Sequence, residues 1–341
     1  MTFDLIIPTY NREEKINRLV DQVKSLSIKP DNIIVVDSSE ISNNKLLLDS
    51  YITYIKSSEK NQPYQRYLGW SFSKSDIIVY MDDDMEIVDL NIFSTLSNIF
   101  SNRKCIGVSL YWKNKPETKN SLMELHGKLE VNKSSALKKW LTFYPNPDEG
   151  QMGYCGIRGK YPNSEGNIEF FSGGAFALVR SVAYQNFNFQ LFNLYKNGLG
   201  KGEDSILGLT LTRCGTIFFE KKIVLWHNDE GESNYAYDLR NFNKRYIYSR
   251  LYLTLERQRL KNESMFLGRV YFHFFVMGRM IPYIINNPFN KTNKKVLKGM
   301  YDGWIESFFF KFNKASVEFE KKWRVIAQKD IQIHENRNIN K

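Results

Sequence analysis

Short apolar runs alternate with amphipathic stretches over about the first hundred residues of the chain. The runs Phe3–Ile7, Asn32–Val36 and Ile77–Met81 have the length and branched side chains of strands buried on both faces, and Tyr51–Lys56 is a weaker one. Between these runs, apolar residues recur at helical spacing in Arg12–Leu26, Gln62–Ser73 and Asp89–Asn102. This alternation predicts an α/β fold with a mostly parallel sheet flanked by helices.

Polar residues follow three of the predicted strands. Pro8–Asn11 follows the first strand, Asp37–Ser39 the second and Asp82–Asp84 the fourth. In an open parallel sheet, the carboxyl ends of the strands share one edge, and ligands bind there near the point where the strand order reverses. A helix beginning after Tyr10, with Asn11 as its predicted N-cap, would add a site suited to phosphate.

Three consecutive aspartates end the apolar run in IIVYMDDDME. At a strand end, Asp82 and Asp84 are predicted to project to one side and Asp83 to the other. Two carboxylates at this spacing can hold a hard divalent cation through oxygen ligands. A cation with spare coordination positions would bind diphosphate oxygens. The alternative from these residues alone is a solvated acidic turn.

Composition narrows the class of protein. The 341 residues, 42% of them apolar, fit one large domain or two ordinary ones. Cys105, Cys155 and Cys214 have neither metal-ligand nor disulfide spacing, so we expect a reducing cytoplasm. No stretch reaches the roughly 18 apolar residues of a membrane span, and the first residues do not have the pattern of a signal peptide.

Positive charge is concentrated in the C-terminal third. Residues 240–341 contain 21 Lys and Arg against 8 Asp and Glu, a surplus of 13, whereas the whole chain carries +11. Aromatic and basic residues mix there at helical spacing, which predicts amphipathic helices suited to an anionic membrane interface. One alternative is that the basic residues form a solvated face, and another is that the aromatics pack on the N-terminal half or on a second copy of the chain.

Two further expectations concern this third of the chain. We expect no nucleic acid partner, because no recognised binding motif is present. The tail after Gln328 is polar and is expected to fray.

Six segments occur in the order found in family 2 glycosyltransferases of the GT-A fold, which the N-terminal half resembles. They are LIIPTYNR, IIVVDSS, NQPYQRYLGW, VYMDDDM, FFSGGAFALVR and GKGEDSILGLTLTRCG. VLWHND then follows where that family often carries a histidine metal ligand. The resemblance covers residues 1–230 and departs from the family at Asp37–Ser39, where two acids and a glycine are usual.

The resemblance implies a domain organisation. Residues 1–239 would form the GT-A nucleotide-sugar-binding and catalytic domain, and residues 240–341 a helical C-terminal region in contact with a membrane or with another copy of the chain. The irregular segment 111–168 has no family counterpart and is expected to shape the acceptor side.

The resemblance also implies roles for individual residues. Asp204 would be the general base, with Glu203 positioning the acceptor or supporting that carboxylate. The ligands of Mn²⁺ or Mg²⁺ would be Asp82, Asp84 and His227. The nucleotide-sugar donor would be bound by Pro8, Thr9, Asn11, Asp37, Arg66, Asp82, Asp83, Gly173 and Gly174.

Each role has a structural alternative. Thr9 and Asn11 can cap a helix, and Arg66 can be an ordinary surface arginine. Asp204 and its neighbour can stabilise a helix dipole, because they open an apolar-periodic stretch. An isolated histidine such as His227 is more often structural than a ligand.

The resulting hypothesis is a metal-dependent inverting glycosyltransferase of polysaccharide or glycoconjugate biosynthesis. Its partners would be a nucleotide-diphosphate sugar and a saccharide or lipid-linked acceptor, in the cytoplasm or on the inner face of the cytoplasmic membrane. Alternatives are an inactive glycosyltransferase-like scaffold on the membrane, a nucleotidyltransferase and a glycoside hydrolase. A nucleotidyltransferase normally has a glycine-rich phosphate loop, which IIPTYNR is not.

Overall fold

The computed structural model describes residues 1–114, 147–196, 202–228, 238–285, 290–310 and 317–339. The strands are β1 (Phe3–Thr9), β2 (Asn32–Asp37), β3 (Ile52–Lys56), β4 (Ile77–Met81), β5 (Met85–Ile87), β6 (Cys105–Asn114), β7 (Gly166–Ile168), β8 (Ala175–Val179) and β9 (Thr216–His227). The helices are α1 (Glu13–Ser25), α2 (Asn44–Leu47), α3 (Gln62–Phe72), α4 (Ile92–Asn102), α5 (Arg180–Gln185), α6 (Gln190–Lys196), α7 (Glu203–Leu211), α8 (Leu239–Leu260), α9 (Met265–Ile285), α10 (Lys291–Phe308) and α11 (Val317–Ile339). Much of the segment expected to shape the acceptor side, residues 115–146, lies outside the described residues.

The strands form one mixed sheet in the order β3-β2-β1-β4-β8-β6-β9-β5, with β7 also paired to β9. β1 to β4 are parallel, and β6 is parallel to β9. β8 is antiparallel to both β4 and β6. The predicted α/β class is therefore confirmed, and the strand order reverses between β1 and β4, which end at Thr9 and Met81.

Helices cover both faces of this sheet. α1 buries Leu19 against one face beside Leu5 of β1. α3 and α7 bury Leu68 and Ile206 against the opposite face beside Ile6. Consecutive residues of β1 are therefore buried on opposite faces of the sheet, as its continuous run of apolar, branched side chains predicts.

The C-terminal helices share the core of the sheet domain. Tyr252 and Leu253 of α8 and Trp323 of α11 belong to the same apolar cluster as Tyr64 of α3. Part of the aromatic content of this region thus packs on the N-terminal half, and the boundary at residue 239 stays a prediction. None of the helices in the described ranges is long and apolar enough to cross a membrane.

The tail continues as a helix, so the expectation of fraying after Gln328 is wrong. α11 extends to Ile339, and Asp330 within it is 3% exposed. Its carboxylate accepts hydrogen bonds from the Tyr64 hydroxyl at 2.7 Å and from the backbone N–H of Ser58 at 3.0 Å. Partners far away in sequence therefore hold a segment that looks polar by itself.

α8 and α10 approach each other closely at two glycines. A Cβ at Gly299 would lie 2.2 Å from the carbonyl oxygen of Arg240, and one at Gly303 would lie 2.5 Å from that of Lys244. Real Cβ atoms do not approach backbone this closely, so glycine is required for this crossing.

We expect Gly303→Ala to lower the free energy of unfolding by about 1–2 kcal/mol, because overpacking a tight contact costs roughly this much. In an unpacked helix the same change would instead stabilise by about 1 kcal/mol. Urea unfolding followed by circular dichroism measures the difference. Lys295→Ala, at an exposed position of the same helix, is the control and should change stability by less than about 0.5 kcal/mol. A more stable Gly303→Ala protein would contradict the close crossing.

Candidate active site

The carboxyl ends of β1 and β4 meet at the predicted edge of the sheet. The Thr9 hydroxyl donates to Asp83 Oδ2 at 2.8 Å. Arg12 Nη1 donates to Asp83 Oδ1 at 2.9 Å and to Asp84 Oδ2 at 3.0 Å. One guanidinium therefore joins Asp83 to Asp84, whereas the sequence predicted that Asp82 and Asp84 would share a side. Burial raises the pKa of Asp83 to about 6, although Arg12 opposes the rise.

Asn11 does not cap α1, so that prediction is wrong. The helix begins at Glu13 with Arg12 as its N-cap, and Asn11 has a φ of 51°, a conformation that Asn tolerates. Its backbone N–H donates to Ser39 Oγ at 2.7 Å, which joins the end of β1 to the segment after β2. Pro8 lies within β1, where it pairs with β2.

Asp37 at the end of β2 is buried in a hydrogen-bond network. Its Oδ1 accepts from the backbone N–H of Ser39 at 2.7 Å, and its Oδ2 accepts from the Tyr54 hydroxyl. Lys56 Nζ lies 3.9 Å from the same carboxylate. Gln65 of α3 donates to backbone carbonyls near the ends of both β1 and β2. Asp37 is thus held in one orientation, and its contact with a nucleoside stays a prediction.

Asp82 contacts α3 and the end of β4. Its Oδ1 accepts from Gln62 Nε2 at 2.8 Å and from the Tyr80 hydroxyl at 2.5 Å. Its backbone N–H donates to the Gly174 carbonyl at 2.8 Å. Burial raises the pKa of Asp82 to about 7, and the neighbouring carboxylates add to the rise.

Asp84 faces His227, the last residue of β9. The distance from His227 Nε2 to Asp84 Oδ1 is 3.4 Å, which is long for a hydrogen bond. Asp84 Oδ1 is buried and accepts no hydrogen bond of good geometry. Burial by itself would raise the pKa of Asp84, but His227 and Arg12 lower it below its usual value. The carboxylate is therefore ionised at neutral pH.

A carboxylate oxygen without a hydrogen bond, beside an imidazole nitrogen, is a donor set that suits Mn²⁺. Asp84 and His227 therefore fit the predicted metal. In the described part of the chain, no three Asp, Glu, His or Cys side chains come together as a complete site. The set of Asp82, Asp84 and His227 stays a prediction, and an ion here needs further ligands from water or a substrate.

Arg66 of α3 lies buried beside the two acids that open α7. It is 2% exposed, and its Nη1 donates to Asp204 Oδ1 at 2.5 Å, while its Nη2 lies 3.8 Å from Glu203 Oε1. Its guanidinium also covers the Tyr80 ring at 3.9 Å. The alternative of a surface arginine is thus excluded. Arg66, predicted to bind the donor, is a direct partner of Asp204.

Glu203 and Asp204 differ in their electrostatic surroundings. Both lie in the first turn of α7, which follows Gly202 at a φ of 87°, so they also suit the helix dipole. Burial raises the pKa of Glu203 to about 8, and the charge of Asp204 adds to the rise. Glu203 is therefore mostly protonated at neutral pH, whereas Asp204 has a charged partner in Arg66.

The glycine turn before β8 lies against both Asp204 and Trp112. Gly173 and Gly174 have φ values of 65° and 77°, which favour glycine. A Cβ at Gly173 would lie 2.8 Å from Asp204 Oδ2. Trp112 Nε1 donates to the Gly173 carbonyl at 2.6 Å, and the Trp112 ring lies 5.1 Å from the His227 ring between centroids. The turn thus links the candidate base to the candidate metal ligand.

An open depression of about 860 Å³ lies beside Arg12. Its described lining comes from the start of α1: Asn11, Arg12, Glu13, Glu14, Lys15, Asn17 and Arg18. Lys15 is close enough to Asp84 for its charge to contribute to the lowered pKa of that carboxyl. Cationic side chains and a helix N-terminus therefore meet next to the aspartates.

Several residues of this site were not predicted from the sequence, among them Arg12, Gln62, Tyr80 and Trp112. Tyr80 carried a signal, because it has a polar hydroxyl near the end of the buried strand that leads to Asp82. Arg12 also had a signal in the sequence, because it is a cationic residue that directly follows Pro8–Asn11, the segment proposed to bind the nucleotide. Trp112 had no local signal, because its contacts depend on how β6 packs in the sheet.

The solved structures with a similar fold include the following two. Residues 1–349 of TarS from S. aureus are 11% identical, with a TM-score of 0.51 over 90% of this chain and 79% of that one. The mannosyltransferase PcManGT from Pyrobaculum calidifontis, in complex with GDP-Man and Mn²⁺, is also 11% identical, with a TM-score of 0.53 over 90% of this chain and 87% of that one. Among curated proteins, none matches the chain.

A sequence profile matches residues 4–184, more than half of the chain, and it describes Glycosyl transferase family 2. The matched range includes the three aspartates, Arg66 and the glycine turn, and it ends before Glu203. Together with the similar folds, this match confirms the resemblance and the GT-A architecture predicted from the sequence. The chain therefore belongs to glycosyl transferase family 2.

Proposed function

We propose that the protein transfers a sugar from a nucleotide-diphosphate sugar to an acceptor hydroxyl, with inversion at the anomeric carbon and with a divalent metal ion. One observation carries the proposal: buried Arg66 pairs with Asp204 and covers the Tyr80 ring, whose hydroxyl donates to Asp82. A candidate base and a candidate donor-binding carboxylate are thereby held in one rigid cluster. Adjacent donor and acceptor groups are what a direct transfer between two bound substrates requires.

The donor diphosphate suits the depression at the start of α1. Arg12, Lys15, Arg18 and the helix N-terminus supply positive charge there, and they outweigh the acids Glu13 and Glu14 of the same lining. Asp84 and His227, with Asp82, would hold Mn²⁺ or Mg²⁺, which when bound neutralises negative charge on the diphosphate. PcManGT was crystallised with a nucleotide sugar and Mn²⁺, which supports a donor and an ion of this kind.

The remaining donor contacts fall on the same edge. Thr9, Asn11 and Asp37 at the ends of β1 and β2 would contact the nucleoside, and Gly173 and Gly174 would allow the sugar to approach the backbone. Arg66 Nε and Nη2 are buried without hydrogen-bond partners. A substrate oxygen would satisfy them.

Asp204 is the group assigned to activate the acceptor. Its carboxylate takes the proton of the acceptor hydroxyl as that oxygen bonds to the anomeric carbon, and the bond from this carbon to the diphosphate oxygen breaks on the opposite face. The diphosphate leaves with the electron pair. Glu203, mostly protonated at neutral pH because of its raised pKa, donates a hydrogen bond that positions the acceptor. Asp204, which is held by Arg66 and lies beside the glycine turn, is therefore the group assigned as the base.

The proposal includes a place in polysaccharide or glycoconjugate biosynthesis, with a saccharide or lipid-linked acceptor and a cytoplasmic location. These parts rest on the resemblance to the family and on the basic C-terminal third.

We expect nucleoside diphosphates to raise the melting temperature more with Mn²⁺ than without it, because the ion links protein carboxylates to phosphate. Thermal unfolding with UDP and GDP, each with and without Mn²⁺, measures this. A screen of nucleotide sugars for Mn²⁺-dependent turnover then identifies the donor. A scaffold or a glycoside hydrolase would show little metal-dependent stabilisation. Release of diphosphate from a nucleoside triphosphate, without use of any nucleotide sugar, would favour a nucleotidyltransferase.

A further inference from the structure

One face of α10 is exposed along its whole length, basic in its first half and apolar in its second. Exposed positions recur every three or four residues, so they form one stripe on the helix. The stripe consists of Lys291, Lys294, Lys295, Lys298, Tyr301, Ile305, Phe308 and, directly after the helix, Phe309, and the exposed Glu306 lies at its edge. We call it the basic–apolar stripe. The opposite face, which includes Gly299 and Gly303, packs against α8.

The apolar half of the stripe continues onto the start of α9. Arg269 Nη2 donates to the Phe310 carbonyl at 3.0 Å, which holds the beginning of α9 next to the end of α10. At that end, Phe266 is 73% exposed and Phe309 is 80% exposed. Large aromatic side chains at this exposure form an apolar surface of the kind that marks a binding site for another protein or a membrane.

The acids near the stripe are already paired. Asp302 lies 2.5 Å from Arg240 Nη2 and 3.2 Å from Lys298 Nζ. Glu306 lies 2.5 Å from Lys244 Nζ. The four lysines of the stripe, together with Arg240 and Lys244 of α8, outnumber these two acids, so this surface carries a net positive charge.

We propose that the basic–apolar stripe docks the protein on the surface of a membrane that contains anionic lipids. The lysines lie among the headgroups, and Phe309 and Phe266 enter the boundary with the acyl chains, as in amphipathic helices that lie on membranes. The positive charge of the stripe matches the anionic headgroups, and its exposed aromatic side chains match the apolar region beneath them. This inference goes beyond glycosyl transfer and does not depend on it.

A second copy of the chain fits this face less well. A symmetric contact sets the same patch against itself. It would place lysines against lysines, or lysine ammonium groups against aromatic rings. Like charges repel one another, and moving an ammonium group from water onto an apolar surface is costly, whereas lipid phosphates carry the opposite charge.

The proposal is tested by mixing the full chain with lipid vesicles, in the absence of donor and acceptor, and measuring the fraction of protein that floats with the vesicles. We expect binding to phosphatidylcholine vesicles that contain phosphatidylglycerol and much weaker binding to phosphatidylcholine alone. Lys291→Gln/Lys295→Gln should lower the partition coefficient about thirtyfold, since each lysine near an anionic surface contributes about 1 kcal/mol. Phe266→Ser/Phe309→Ser should lower it by at least about tenfold.

Matched controls lie on the N-terminal half. Lys29→Gln/Lys104→Gln removes two exposed lysines, and Ile41→Ser removes an aliphatic side chain that is 85% exposed; both should bind vesicles like the parent. The proposal is overturned if the parent protein does not float, if it binds neutral vesicles equally well, or if the controls lose as much binding as the stripe variants. It is also overturned if the parent protein does not bind vesicles but forms a dimer in analytical ultracentrifugation that Phe309→Ser dissociates. Because no step uses glycosyl transfer, these outcomes are separate from failure of the enzymatic proposal.

Discussion

Replacing Asp204 by Asn is expected to lower kcat by about 10²–10⁴-fold, the usual contribution of a positioned general base. Asn keeps the shape of the side chain but cannot take the proton from the acceptor hydroxyl. KM for the donor should change little, because none of the proposed donor contacts is made by the Asp204 side chain itself. Steady-state kinetics with the donor found in the nucleotide-sugar screen measure both constants. Circular dichroism checks the fold, because Arg66 loses its closest charge partner in this variant.

Glu203→Gln is the matched control. The pKa of Glu203 is raised to about 8, so the side chain is mostly neutral at pH 7 and Gln imitates that form. We therefore expect a kcat loss below about tenfold for this variant. The reverse ranking, with Glu203→Gln the more damaged enzyme, would move the base to Glu203. Full activity in Asp204→Asn would show that Asp204 is not the general base.

The place of the site was predictable because it depends on local pattern and strand order. The apolar runs of β1 and β4 identify buried parallel strands, and such strands bring their carboxyl ends to one edge. Thr9 and Asp83 meet there at 2.8 Å although they are 74 residues apart. The same argument accounts for Asp37, at the end of the neighbouring strand.

The orientation of the aspartates was not predictable from strand alternation. β4 ends at Met81, and Asp82 to Asp84 form a turn that leads into β5. The alternation of side chains stops where the strand stops. Asp83 and Asp84 consequently point to the same cation, Arg12, while Asp82 contacts Gln62.

The contacts between distant segments escaped prediction for a different reason. α3 is buried along almost its entire length, so its apolar pattern has no polar face that would single out Arg66. Asp330 meets Tyr64 across 266 residues of sequence, and no window of the sequence contains both. Such pairs follow from how the helices pack, which periodicity does not determine.

Replacing Asp84 by Asn is expected to weaken Mn²⁺ binding by more than about 100-fold in the presence of UDP or GDP. Loss of an outer partner of a metal site typically costs 10–100-fold, and loss of a charged ligand should cost more. The reason lies at Asp84 Oδ1, a buried oxygen that accepts no hydrogen bond and faces His227. Titration of Mn²⁺ followed by electron paramagnetic resonance measures free ion directly and requires no turnover.

Asp83→Asn is the control for Asp84→Asn. It removes the same charge from a neighbouring position, and so distinguishes loss of a metal ligand from loss of negative charge alone. Both oxygens of Asp83 already accept hydrogen bonds, one from Thr9 and one from Arg12, so each is less available to an ion than Asp84 Oδ1, which accepts none. We expect its replacement to change Mn²⁺ affinity by less than about tenfold, which is about 1.4 kcal/mol. Equal losses in the two variants would mean that total negative charge, rather than the oxygen facing His227, attracts the ion. Unchanged affinity in Asp84→Asn would exclude Asp84 as a ligand, and the metal would then have to bind elsewhere or not at all.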